Sequence, residues 1–320
     1  MKPKTNVALA ALIPALLALA LLVAACGGGA TTLPTPTVAG TIAFTKVVGR
    51  TNGNIHVVNA DGTGLRPLSE TPGWEEDPSW SPDGSRIVYA AYSPGELSVD
   101  TASVWVMKAD GSEKAQLSRG NGFSPAWSPD GKQIVYVSVV STAPLHTPEV
   151  SPVRLQIDVL IVNADGSGMR NLTRTDGLPV APSWAPNGEI LFLRDGDLYS
   201  TKLDGGGEVR LTTDWTIGEY ALSPDGKTLA YRDLVKNTIV ARPLKGGAAT
   251  VTLLKPATQF IKSDPLAAFA WTPDGKAVAV ASGSLDGLHG SPLYIVNADG
   301  SRLSQVPGIE LAWDPAWRPE

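Results

Sequence analysis

The sequence predicts an all-β fold, a six-bladed β-propeller of four-stranded antiparallel blades, and three observations carry that prediction. A Trp-Ser-Pro-Asp-Gly signal recurs, an Asn-Ala-Asp-Gly signal alternates with it, and successive tryptophan slots lie 47, 57, 38, 49 and 46 residues apart. That spacing is the period of a four-stranded blade. The chain has 320 residues, 43% hydrophobic and 18% charged, which excludes disorder, collagen and a polytopic membrane protein. Its 33 Gly and 26 Pro imply many turns and little long helix. With 26 Lys+Arg against 31 Asp+Glu, a net charge of -5 and no long basic run, nucleic acid is not an expected partner.

From the N-terminus, Lys2 and Lys4 precede an apolar stretch from Val7 to Ala25, which ends at Val23-Ala24-Ala25 just before Cys26. This is a charged region, an apolar core and a small-residue cleavage site. An uncleaved anchor is the alternative, since 19 apolar residues can span a bilayer. A lone cysteine after a small apolar tripeptide resembles the bacterial lipoprotein signal, which implies lipid on Cys26 and an extracytoplasmic, lipid-anchored protein. Residues 1–25 are therefore read as a signal peptide. Residues 26–40 are read as a flexible Gly/Thr/Pro linker, and residues 41–320 as the propeller. Cys26 is the sole cysteine, so no disulfide stabilises the domain.

Beyond residue 41 the chain is one repeat. The first signal stands at Trp80, Trp127, Trp184, Leu222, Trp271 and Trp317, and the second begins at Asn59, Lys108, Asn163, Lys202, Lys245 and Asn297. β-Branched and aromatic runs follow each Pro-Asp-Gly and precede each Asp-Gly, so the runs are strands joined by tight hairpins. Thr41–Thr45 lacks the turn that should precede it, and Asp314–Glu320 is an inner strand with nothing after it. Together the two ends complete one blade. The C-terminal strand is innermost, and the ring closes without an unpaired edge.

The repeated Pro-x-Trp-Ser-Pro-Asp-Gly with Asn-Ala-Asp-Gly resembles the six-bladed propeller of TolB-like periplasmic proteins, also seen in prolyl-oligopeptidase-type peptidases. The resemblance covers residues 41–320 and speaks for fold, not activity. The α/β domain that precedes the propeller in TolB has no counterpart in the segment read as signal and spacer, so its translocation-machinery contacts are not carried over. The peptidases' G-x-S-x-G nucleophile elbow is missing from the sequence.

Several conspicuous residues are expected to be structural. Asp83, Asp130, Asp225 and Asp274 sit where a short acceptor holds its own turn. The tryptophans pack neighbouring sheets. His56 is a wall residue, His146 and His289 fall in long loops, and a zinc site is not expected. Asn171-Leu172-Thr173 matches a glycosylation acceptor by accident.

Both tight turns of each blade fall on one face, which leaves the long loops for the other. These are Tyr92–Thr101, Ser141–Ile157, Lys255–Leu266 and Ser282–Ser291, and binding residues are expected among them. Three residues before each tryptophan slot stand Asp77, Ser124, Ala181, Glu219, Ala268 and Asp314, which ring the channel mouth. Asp77 and Asp314 are expected as neighbours, with Glu75, Glu76 and Glu310 nearby. Clustered carboxylates call for a calcium-like cation at Asp77 and Asp314, a basic group of a partner, or plain solvation. No other cofactor is expected. The functional reading is a non-enzymatic, membrane-anchored scaffold that recognises a protein, peptide or glycan. The alternative is a metal-assisted lyase or hydrolase at the mouth, which would need an inward histidine.

Overall fold

A computed structural model describes residues 33–49, 52–95, 98, 101–118, 120–141, 155–173, 177–213, 217–245, 250–254, 266–283 and 291–320. The signal segment, Cys26, His146, His289 and most of the three longest loops lie outside the described residues.

Among the described residues, twenty-four strands form six four-stranded antiparallel sheets. Blade 1 holds β1 (Thr41–Gly49), β2 (Asn52–Asn59) and β3 (Arg66–Pro67). Blade 2 holds β4 (Glu75–Trp80), β5 (Arg86–Ala91), β6 (Ser103–Lys108) and β7 (Ala115–Gln116). Blade 3 holds β8 (Gly122–Trp127), β9 (Gln133–Ser141), β10 (Leu155–Asn163) and β11 (Arg170–Asn171). Blade 4 holds β12 (Val180–Trp184), β13 (Ile190–Arg194), β14 (Asp197–Thr201) and β15 (Val209–Arg210). Blade 5 holds β16 (Ile217–Leu222), β17 (Thr228–Asp233), β18 (Thr238–Pro243) and β19 (Val251–Leu254). Blade 6 holds β20 (Leu266–Trp271), β21 (Ala277–Gly283), β22 (Tyr294–Asn297) and β23 (Leu303–Gln305). The last strand, β24 (Ala312–Trp317), pairs with β1 through Ile42↔Trp317 and Lys46↔Ala312, becoming the innermost strand of blade 1. The predicted fold and its closure are therefore present.

One predicted loop is shorter than read. Ser141–Ile157 loses both ends to strands, because Val139↔Ile157 and Ser141↔Leu155 continue the β9–β10 ladder and Ile157 is buried. The Val-Ser-Val-Val run and Leu-Gln-Ile-Asp-Val alternate well enough to extend the pairing.

The turns are built as the residue types demand. In Ser81-Pro82-Asp83-Gly84 the Asp83 carboxylate accepts from Ser81 Oγ (2.6 Å) and Ser85 N (3.0 Å). Asp130, Asp225 and Asp274 repeat this with Ser128, Ser223 and Thr272. Gly62 shows why the second turn needs glycine: φ is +87°, and a Cβ would stand 2.8 Å from the Pro307 carbonyl of blade 6.

The core is a circle of seams between blades. Trp80 packs with Ile87, Tyr89 and Met107 of its own blade and with Ala43, Ile55 and Val57 of blade 1. Three tryptophans also latch onto the preceding inner strand. Trp80 Nε1 donates to Ala316 O (3.2 Å), Trp184 Nε1 to Ala126 O (3.1 Å) and Trp271 Nε1 to Ala221 O (3.0 Å). A third repeated signal, Leu-Ser/Thr, escaped the sequence reading. Ser69, Ser118, Thr173 and Thr212 each accept a backbone N–H of the third strand, from Ile55, Val104, Val159 and Leu198 at 2.8–3.0 Å. His56 is buried in β2 beside Phe44, its rings 6.0 Å apart, and desolvation lowers its pKa. Asn171 spends its amide on Asp158 (2.7 Å).

Candidate functional site

The innermost strands β4, β8, β12, β16, β20 and β24 surround the axis, and five of them carry a bulge at the predicted ring position. Asp77, Ser124, Ala181 and Asp314 occupy that bulge with φ between 47° and 53°. Each is followed by a proline, which normally holds the preceding residue extended, so the left-handed conformation is strained. It is tolerated because neighbouring blades lock it. Ser124 Oγ donates to Asp77 Oδ2 (3.0 Å), and the Ser124 N–H donates to the same carboxylate. The Asp77 N–H in turn donates to the Asp314 carboxylate. Each acid is thus held by the ring residue of the following blade, and Asp77 and Asp314 are neighbours as expected.

Blade 5 departs from this pattern. Glu219 stands at the ring position, and the following residue is Tyr220 in place of proline. The Tyr220 hydroxyl donates to Ala181 O (2.9 Å) and lies 2.9 Å from Ser183 Oγ, bridging blades 4 and 5. Ala268 stands in β20, whose pairing with β21 has no bulge.

The mouth acids share one electrostatic environment. Desolvation raises Glu219 to about 8, with the Asp77 charge adding to it and Arg232 opposing it. Blades 2 and 5 are opposite in a six-membered ring, so this coupling crosses the channel. Burial raises the Asp77 carboxyl, and it lifts Asp314 well above the carboxylate range, reinforced by Asp77, Glu76 and Glu219. Glu76 rises to about 7 from desolvation and the Asp77 charge, although Tyr92 Oη and Trp74 Nε1 (2.8 Å) both donate to it. Among the described residues, no three His, Cys, Asp or Glu side chains form a set that could hold a metal ion.

No protein-family model matches the chain. Over 163 residues it is 31% identical to the Tol-Pal system protein TolB of Bordetella pertussis and 34% identical to that of Bordetella parapertussis. These matches cover 48% of this chain and 32% of each relative, so the chain spans about a third of the length of the curated relatives it matches. Among solved structures, TolB from Acinetobacter baumannii is similar with a TM-score of 0.68 at 18% identity, covering 88% of this chain and 67% of that one. In fold, the chain is similar to the TolB propeller. A putative TolB from Agrobacterium tumefaciens is similar with a TM-score of 0.54 at 17% identity, covering 88% of this chain and all of that one.

Within the propeller, two of the nearby acids part company. Glu75 is buried away from the mouth, where it takes hydrogen bonds from Ser69 Oγ, Thr71 Oγ1 (3.2 Å) and Ile55 N (3.4 Å) and ties blade 2 to blade 1. The bulge at Asp77 breaks the alternation, so Glu76 joins Asp77 while Glu75 does not. Glu310 is exposed before β24. The sequence reading missed Tyr92, Trp74 and Trp313. Trp74 and Trp313 meet edge to face at 5.5 Å beside the acids. The signal for this was available, because Trp313 immediately precedes a ring residue and Tyr92 begins a loop of the same face. His56 faces a blade seam, so among the described residues no histidine stands at the mouth.

Proposed function

We propose that this propeller is a non-enzymatic binding scaffold outside the cytoplasm, held to a membrane through lipid on Cys26, and that its channel mouth receives a basic group of a protein or peptide partner. The observation that supports this is the cluster of Glu76, Asp77, Glu219 and Asp314, whose carboxyls are held above their ordinary pKa by burial, reinforced in Glu76, Glu219 and Asp314 by neighbouring acid charges. A lysine or arginine entering the mouth offsets that repulsion and draws the protons off. Binding therefore releases protons and strengthens as pH rises from about 6 to 8. The matching relatives are named Tol-Pal system protein TolB, which supports a role alongside other proteins.

The test is capture of partners from an envelope extract with wild type and with Asp77→Asn/Glu219→Gln/Asp314→Asn. A protein retained by wild type and lost by the triple variant, with melting preserved, supports the reading. A partner held equally by both overturns it. Melting the two proteins with chelator and then with calcium runs alongside, and a calcium shift confined to wild type would assign the mouth to a cation instead.

A further inference from the structure

A groove of about 600 Å³ opens at the seam of blades 5 and 6 on the tight-turn face, walled by Ala241, Pro243 and Val251 of one blade and Trp271, Pro273 and Ala298 of the other, and the two carboxylates that also line it, Asp225 and Asp274, are ion-paired with Lys227 and Lys276. Its origin is a local loss of bulk. The third-strand residue at this register is Val57, Val106, Ile161 and Ile295 in blades 1, 2, 3 and 6. Blade 4 carries Ser200 there, paired with Leu191. Blade 5 alone pairs alanine with alanine, Ala230↔Ala241.

The next seam shows what fills such a space. Between blades 6 and 1, the segment of residues 33–40 lies along blade 6. Gln305 N donates to Pro34 O (3.3 Å) and Arg302 Nη2 to Thr35 O (3.2 Å). Pro36 is buried, and Val38 packs into the cluster that contains Trp317 and Ala60, the repeat counterparts of Trp271 and Ala298. Gly40 O accepts from Ala60 N as Lys276 O accepts from Ala298 N, so Val38 corresponds to Asp274. The Asp274 carboxylate folds back onto Thr272 Oγ1 (2.7 Å) and Lys276 N (3.0 Å) and leaves its seam unfilled.

We propose that the groove of blades 5 and 6 is a binding site for an extended, uncharged, proline-containing segment of a partner protein, with the chemistry of residues 33–38. Such segments are pre-organised and lose little entropy on docking against aromatic and proline walls. The site is separate from the channel mouth and does not depend on the reading given for it.

The probe is a fluorescein-labelled octapeptide of residues 33–40, titrated into the full propeller by fluorescence polarisation. Saturable binding is expected, weakened at least tenfold by Ala241→Ile, which restores the bulk of blades 3 and 6. Val251→Lys, half-buried at the outer lip against the same seam, should weaken it through charge while the melting transition is kept, so a folding defect in the first variant leaves the test intact. Replacing both prolines of the peptide by alanine should weaken it as well. Binding indifferent to both protein variants would mean exchange with the resident segment at the adjoining seam and would overturn the proposal, as would no binding at millimolar peptide. Concentration-dependent dimerisation of wild type abolished by Ala241→Ile would reassign the groove to a second copy and overturn the foreign-partner assignment.

Discussion

The turn aspartates and the mouth acids are the same chemistry placed in opposite environments. Asp83 is exposed, and donors from Ser81 and Ser85 hold it at about 2. Asp130, Asp225 and Asp274 are lowered in the same way, first by their own Ser or Thr hydroxyl. At the mouth, desolvation comes first and the acids rise. An aspartate that recurs in four blades therefore marked a scaffold part, whereas the acids that break the repeat carry the unusual electrostatics.

The comparison has opposite signs in pH. A mouth acid raised on folding favours the folded state at low pH, and that contribution fades as pH climbs from the unfolded value towards the folded one. Glu219 moves from 4.5 to about 8, which corresponds to a ceiling of about 5 kcal/mol. Glu219→Gln is therefore expected to raise the melting temperature at pH 8 clearly more than at pH 5, and equal shifts at both would break the comparison. Trp271→Phe supplies a control that should ignore pH. Losing the Nε1 bond to Ala221 and part of the ring should cost about 2 kcal/mol at either pH in a denaturant titration. Trp127→Phe should cost less, since Trp127 Nε1 has no partner among the described residues. Asp274→Ala should cost about 1 kcal/mol at pH 7 and progressively less as the pH falls below the ordinary aspartate value, because the contribution of a lowered carboxylate is lost as pH falls through its folded pKa. The smallest effect is spectroscopic. Asp77→Asn removes a neighbouring charge, so the carboxyl band of Glu76 should titrate lower than in wild type by infrared difference measurement.

The fold was legible because its signals repeat: Trp-slot turns, Asp-Gly turns and β-branched runs each specify a local conformation, and six copies specify a ring. Asp77, Glu219 and Asp314 were placed at the mouth by counting back three residues from the slot. Counting could not separate Glu75 from Glu76, because strand alternation fails at a bulge and nothing in Asp77-Pro78 announces a left-handed residue. The partial groove of blades 5 and 6 was also invisible, since Ala230 and Ala241 matter only once register pairs them. Residues 33–40 read as spacer from composition, yet Pro36 and Val38 lie against the domain through shape that no charge or periodicity signals.

Closure of blade 1 through β24 has a consequence for the order of events during synthesis. Ile42 and Trp317 pair across 275 residues, so closing that loop costs about 5 kcal/mol of chain entropy and cannot begin until the last segment has emerged. Blades 2 to 6 are contiguous and can form as they appear, while β1 waits with an open inner edge. The ring therefore reports on the presence of its closing strand: a chain without β24 leaves the inner edge of β1 exposed, visible to proteases and prone to pair with another copy.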